Sequence, residues 1–180
     1  MILRRFLVAA SVMVCSCSIE ESSAPYERIR GDITVMPESA LPGAFYLFEN
    51  DGRTYWKPSM PEVTKAADLI HAALERGRKN PLLVSIHAHN PRDDWVSEYY
   101  VRKIEEVLNH YSSYSCQVIG LQDGRKKFIA FSFYSTNYGH PWKNLDSEFV
   151  SVCDGGSGFW RIEYDVSEKR FLSFTPNGDG

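Results

Sequence analysis

The chain has 180 residues with 20 Lys+Arg against 23 Asp+Glu, and it is 43% hydrophobic and 24% charged. That is long enough to bury a core and too apolar for a disordered chain. A net charge of −3 excludes the broad basic surface of a nucleic-acid binder, and the absence of any apolar run near the ~20 residues of a spanning helix excludes a polytopic membrane protein. One ordinary globular domain is expected, and no pattern in it specifies a reaction.

The N-terminus reads as an address. Arg4 and Arg5 form a basic start, and residues 6–14 form a short apolar stretch that suits the core of an export signal better than a bilayer span. It ends in Val14-Cys15-Ser16-Cys17, which resembles the lipobox of bacterial lipoproteins, where a small residue precedes the cysteine to be lipidated. Cys17 fits better than Cys15, because Ser16 is small and Val14 is bulky. The resemblance implies cleavage after residue 16, a diacylated thiol such as a palmitate-bearing one, and an acylated new amino end. Such chains hold firmly, since two lipid signals already anchor stably at ~0.8 kcal/mol per buried methylene. The non-acidic Ser18 resembles outer-membrane sorting, on the face towards the periplasm. An ordinary secretory signal with two incidental cysteines is the alternative.

Removing residues 1–16 takes away two arginines and leaves 164 residues with a net charge of −5. Residues 17–43 then read as the lipidated cysteine and an irregular tether, and residues 44–180 as one domain. Of the remaining cysteines, Cys116 and Cys153 fall in apolar, strand-like runs two strands apart. In a simple meander their Cα atoms would lie ~10 Å from each other, beyond the ~7 Å reach of a disulfide, so two buried free thiols are expected, with a disulfide in the oxidising compartment as the alternative under another strand order.

Along the domain, the aromatic-rich runs 44–48 and 53–56 around Asn50-Asp51-Gly52 predict an N-terminal hairpin. Ser59-Met60-Pro61-Glu62 is a capping box that opens a helix, with Val63, Ala66, Ala67, Ile70, Ala73 and Leu74 on one face and Gly77 as its expected stop. Residues 82–89 are read as a strand, with a helix extension as the alternative. A second helix opens at Asn90-Pro91 or Asp93-Asp94, and repeats Val96, Tyr100, Ile104, Val107, Leu108 and Tyr111 at helical spacing.

From Tyr114 the period becomes two. Runs 114–121 and 125–134 flank Gln122-Asp123-Gly124, and runs 148–153 and 158–166 flank Asp154-Gly155-Gly156-Ser157, predicting two hairpins. Trp160, Ile162, Tyr164 and Val166 alternate with Arg161, Glu163 and Asp165, which implies a sheet with one wet face. A last strand covers 170–175. Helices followed by strands predict an α+β domain, with two helices on one face of an antiparallel sheet of about four or five strands.

Trp56-Lys57-Pro58-Ser59 leading into a helix, Tyr114-Ser115-Cys116-Gln117-Val118-Ile119-Gly120, Asp154-Gly155-Gly156-Ser157, Tyr164-Asp165 and Asn177-Gly178 together resemble a family of uncharacterised bacterial lipoproteins. The resemblance spans about residues 56–178 and implies location and fold without a mechanism. The order of elements is also similar to the cystatin-like and NTF2-like folds, which host inhibitors, binders and enzymes alike.

Candidate chemistry is sparse. His87 and His89 would share one face of a strand, with Asp93 and Asp94 close behind, but two ligands at i, i+2 do not complete a zinc site and no HExxH or CxxC accompanies them. A polar strand end explains them more simply. Asp154-Gly155-Gly156-Ser157-Gly158 precedes an alternating strand rather than a helix, so it reads as a turn and not a phosphate loop. No Gly-x-Ser-x-Gly elbow is present. The long loop 135–147 carries Tyr138, His140 and Trp142, aromatic groups suited to contacting a partner, unless Trp142 folds back to plug the end of the sheet.

The resulting expectation is a membrane-anchored envelope lipoprotein that binds the bilayer through acylated Cys17 and an envelope protein or ligand through its domain, with no cofactor and no catalysis. The alternative is an envelope hydrolase or metal-binding protein using His87 and His89.

Overall fold

The structure, a computed structural model, describes residues 31–48, 52–79, 94–139 and 142–178. Cys17, His87, His89, Asp93 and His140 lie outside the described residues, as do the predicted strand 82–89 and the signal sequence.

The α+β class read from the sequence is the class the chain adopts. In chain order the elements are β1 (Ile33–Val35), α1 (Leu41–Phe48), β2 (Thr54–Trp56), α2 (Met60–Lys79), α3 (Asp94–Asn109), β3 (Tyr114–Asp123), β4 (Lys126–Ser135), β5 (Phe159–Asp165) and β6 (Arg170–Pro176). The last four form an antiparallel meander in that order. The free edge of β3 is divided: β1 pairs with Cys116–Val118 in parallel, and β2 pairs with Gly120–Gln122 antiparallel. The sheet is therefore mixed. A Cβ at Gly120 would run into the carbonyl of Trp56, so glycine is what lets β2 lie there. Gly124, at a φ of 55°, turns β3 into β4.

The capping box opens α2 as its sequence requires. The Ser59 amide donates to Glu62 Oε2 at 2.8 Å, and the Glu62 amide reaches Ser59 Oγ at 3.4 Å. Helix α2 runs two residues past Gly77, which is buried within it. Val63, Ala66, Ala67, Ile70, Ala73 and Leu74 all face the core, with Ile104, Val107 and Leu108 of α3 beside them. Both helices cover the face of the sheet that carries Val118, Ile129, Phe131, Phe133, Trp160, Ile162 and Phe174. There the Trp160 ring lies 3.8 Å from that of Phe133 at an interplanar angle of 7°, and Trp160 is 1% exposed.

Three sequence expectations are corrected. First, residues 44–48 are the end of helix α1 rather than an arm of a hairpin. Ala40, Ala44, Leu47 and Phe48 fall at helical spacing and bury together against Ile119, Leu121, Phe128 and Ala130 on the second face of the sheet, and that packing outweighs the β preference of the aromatic run. Second, residues 148–153 form no strand. Strands β4 and β5 pair directly over seven residues, which leaves no edge for a further strand, and Gly156–Gly158 is a single 3-10 turn leading into β5. Third, both cysteines are free, but only Cys116 is buried; Cys153 is exposed because it sits in that connection and not in a strand.

Candidate functional site

The second face of the sheet is where polar chemistry collects. Register places Thr34, Gln117, Ser132, Arg161 and Thr175 in one row across β1, β3, β4, β5 and β6, and register neighbours share a face. The face expected to be wet is in fact covered. Helix α1 covers one part, and residues 145–153, a strap without regular structure, cover another. Glu163 and Asp165 are accordingly buried.

Gln117 holds the strap. It is fully buried, and its Nε2 donates to the carbonyls of Leu145 at 2.8 Å and Glu148 at 2.7 Å, while its Oε1 accepts from the Val150 amide at 2.7 Å. One amide side chain thus replaces three bonds that a neighbouring strand would have made, which is how backbone polar groups can be buried without a ladder. Asn177 ties the other end, donating through Nδ2 to the Val152 carbonyl at 2.5 Å. The turn before β5 is fixed by Tyr114, whose hydroxyl donates to the Ser157 carbonyl at 2.6 Å. Burial pushes that phenol far above its ordinary pKa, so it stays a donor.

Between α1, the strap and the ends of β4, β5 and β6 lies a cleft of about 390 Å³. Ser132 and Arg161 line it from the sheet, Ser151 and Cys153 from the strap, Asn177 from beyond β6, and Tyr46 from α1. Leu47, Val150, Val152 and Phe159 supply apolar wall. A second depression of about 260 Å³ continues along α1 and shares Tyr46, Leu47 and Ser151 with the first. Tyr46 stands at their junction, 76% exposed. On the same face, two positions along β5 from Arg161, Glu163 takes an ion pair from Arg53 at 2.6 Å, and Arg53 also lies 5.0 Å over the Phe128 ring. A cleft of this size with a few converging donors suits a small ligand.

The aromatic loop singled out from the sequence backs this cleft. Tyr138 and Trp142 both set their rings edge-on to Phe159, at 4.9 and 5.9 Å, and Phe159 is itself part of the cleft wall. Trp142 is half-buried in the small cluster of Tyr134, Val150 and Phe159, while Tyr138 remains 48% exposed. Among the described residues no group of His, Cys, Asp and Glu is placed to hold a metal ion. Sequence reasoning overlooked Gln117, Ser132, Ser151, Asn177 and Tyr46 as site residues. The available signal was Gln117 and Ser132, polar residues at the centres of otherwise apolar strands.

Comparison with family models, with curated proteins and with solved structures finds no match to this chain. The likeness to a lipoprotein family therefore rests on the quoted motifs alone.

Proposed function

We propose that this chain is an envelope lipoprotein, held to the outer membrane through acylated Cys17, whose domain is a binding module with its ligand in the cleft between α1 and the strap. The cleft carries the reading: about 390 Å³, with apolar walls and hydroxyl, amide and guanidinium side chains from four separate segments in its lining. Tyr138 and Trp142 support it as a brace behind Phe159, and Tyr138 keeps enough exposed ring to meet a larger partner at the rim. The motif around Cys17 supports the anchor.

Two measurements test this. Cys17→Ser is expected to move the protein from the membrane to the soluble fraction, and unchanged fractionation would reject the anchor. Amide NMR spectra recorded with small aromatic fragments, benzamide among them, are expected to shift at Ser151, Val152 and Asn177. Shifts confined to other surfaces would reject the cleft as the binding site.

A further inference from the structure

The larger cleft and the second depression meet along α1, sharing Tyr46, Leu47 and Ser151. Together they form one groove with Tyr46 at its waist, and that residue is 76% exposed on a helix whose Ala44, Leu47 and Phe48 are buried. Gly43 precedes Tyr46 by three positions, so the two share a face of α1, and Gly43 lines the second depression. Glycine is a poor helix former, and packing does not require it here: a Cβ at Gly43 would meet nothing nearer than Phe149 Cδ2 at 3.4 Å, an ordinary contact. Its missing side chain instead leaves the groove open beside Tyr46. Ser132 brings a hydroxyl to one arm, Ser39 to the other, and Ser151 to the junction.

We infer that this groove binds a linear, uncharged glycan, laid across α1 with one sugar ring stacked on Tyr46. This rests on the binding reading above and adds the ligand's class. A pyranose ring offers an apolar C–H face to an aromatic ring and a fringe of hydroxyls to polar side chains. The groove supplies both, an exposed phenol ring and hydroxyls spaced along its length. Charge points the same way. Arg161 in the larger cleft is already engaged within the protein. Glu148, exposed in the second depression, opposes an anionic ligand while its carboxylate can accept from sugar hydroxyls. An extended peptide fits less well, because it would need a ladder of backbone partners. The strap's carbonyls at Leu145, Glu148 and Val152 and its Val150 amide are instead taken by Gln117 and Asn177.

Amide NMR titrations of the full chain test this with two uncharged linear trisaccharides, cellotriose and triacetylchitotriose, beside glucose and trialanine. A trisaccharide is expected to shift Gly43, Tyr46 and Ser151 together and to bind more tightly than glucose, which fills one arm alone. Tyr46→Ala is expected to weaken it about fivefold, the scale of one aromatic stacking contact, and Tyr46→Phe to retain most of the affinity. Tyr46 is exposed, so the variant should keep its fold, which unchanged amides of β4 and β5 would report. Gly43→Leu fills the second depression and is expected to weaken the trisaccharide while benzamide still shifts Val152 and Asn177 in the larger cleft.

Saccharides that leave the spectrum unchanged while benzamide shifts the cleft would overturn the glycan and leave the binding reading standing. Failure of benzamide as well would overturn both. Tighter binding of trialanine than of either trisaccharide would overturn the glycan in favour of a peptide. An unchanged trisaccharide affinity in a folded Tyr46→Ala protein would overturn the stacking on Tyr46, and with it the inference.

Discussion

The two faces of the sheet are built on different principles. On the face under α2 and α3, aromatic and aliphatic side chains interlock, and Trp160, Phe131, Phe133 and Phe174 are each at most 1% exposed. On the face under α1 and the strap, a row of polar residues crosses five strands, and a loop is held down by hydrogen bonds from Gln117 and Asn177. The first face supplies stability through area removed from water, which is tolerant of direction. The second depends on bonds with fixed geometry, and a cover held that way leaves a cleft that close packing would have filled. The difference places the close-packed core of the domain on one side of the sheet and its cleft on the other.

The largest expected effect comes from breaking the dry face. Trp160→Ala should lower stability by ~4 kcal/mol, as for large-to-small changes at a fully packed site, read as a shift in the urea midpoint. A loss below ~1 kcal/mol would mean that the stacked Phe133–Trp160 pair is not central to the core.

Breaking the polar face at its anchor should cost less and act locally. Gln117→Leu leaves the Leu145 and Glu148 carbonyls and the Val150 amide without their partner, a penalty of ~2 kcal/mol. The Val150 amide should then exchange its hydrogen much faster while amides of β4 and β5 keep their protection. Uniform loss of protection across the sheet would show that the strap and the core unfold as one unit.

A smaller effect sharpens the account of the first face, since α2 is set in place by its cap. Ser59→Ala should destabilise by ~1 kcal/mol. The same contact has a pH signature: hydrogen bonds from the Ser59 side chain and amide, with a lesser effect of Lys127, hold the Glu62 carboxyl below its ordinary pKa of 4.5. A lowered folded-state value means that the stabilisation is fully present above that ordinary pKa and fades as pH falls through the folded one. Glu62→Gln should therefore flatten the acid limb of the stability curve. An unchanged limb would remove the cap from the explanation.

The smallest effect separates the two thiols. Cys153→Ser should change stability by less than ~0.5 kcal/mol, as for an exposed position, and should abolish modification of the folded protein by Ellman's reagent at that site. Cys116 is buried, which pushes its thiol well above the usual range, so it should react only when the domain unfolds. Reaction of Cys116 in the native state would mean that the dry face opens readily.

Much of the first face was legible in the sequence. The stripe from Val63 to Leu74, the Ser59–Glu62 box and the alternation from Trp160 to Val166 each match an intrinsic period, and a period declares itself within a dozen residues. Far less of the site was legible. Arg161 was visible as one of the outward residues of its strand, but nothing near it in sequence indicates that α1 and the strap close over it. Residues 44–48 and 148–153 both carry strand-like composition; the first lost that state to helical packing of Ala44, Leu47 and Phe48 against the second face of the sheet, and the second because both edges of β5 are already occupied by β4 and β6.

By itself, then, the sequence determined the class of fold, the dry packing under two amphipathic helices, the helix cap and the hairpin at Gly124, because these follow from local periodicity and turn chemistry. Only the tertiary structure decided that 41–48 is a helix, that 145–153 is a strap fastened by Gln117, and that Ser132, Cys153, Arg161 and Asn177 meet around one cleft. Those outcomes depend on competition for sheet edges and on hydrogen bonds spanning some thirty positions, such as the 33 between Gln117 and Val150, a separation at which no local pattern in the chain carries the information.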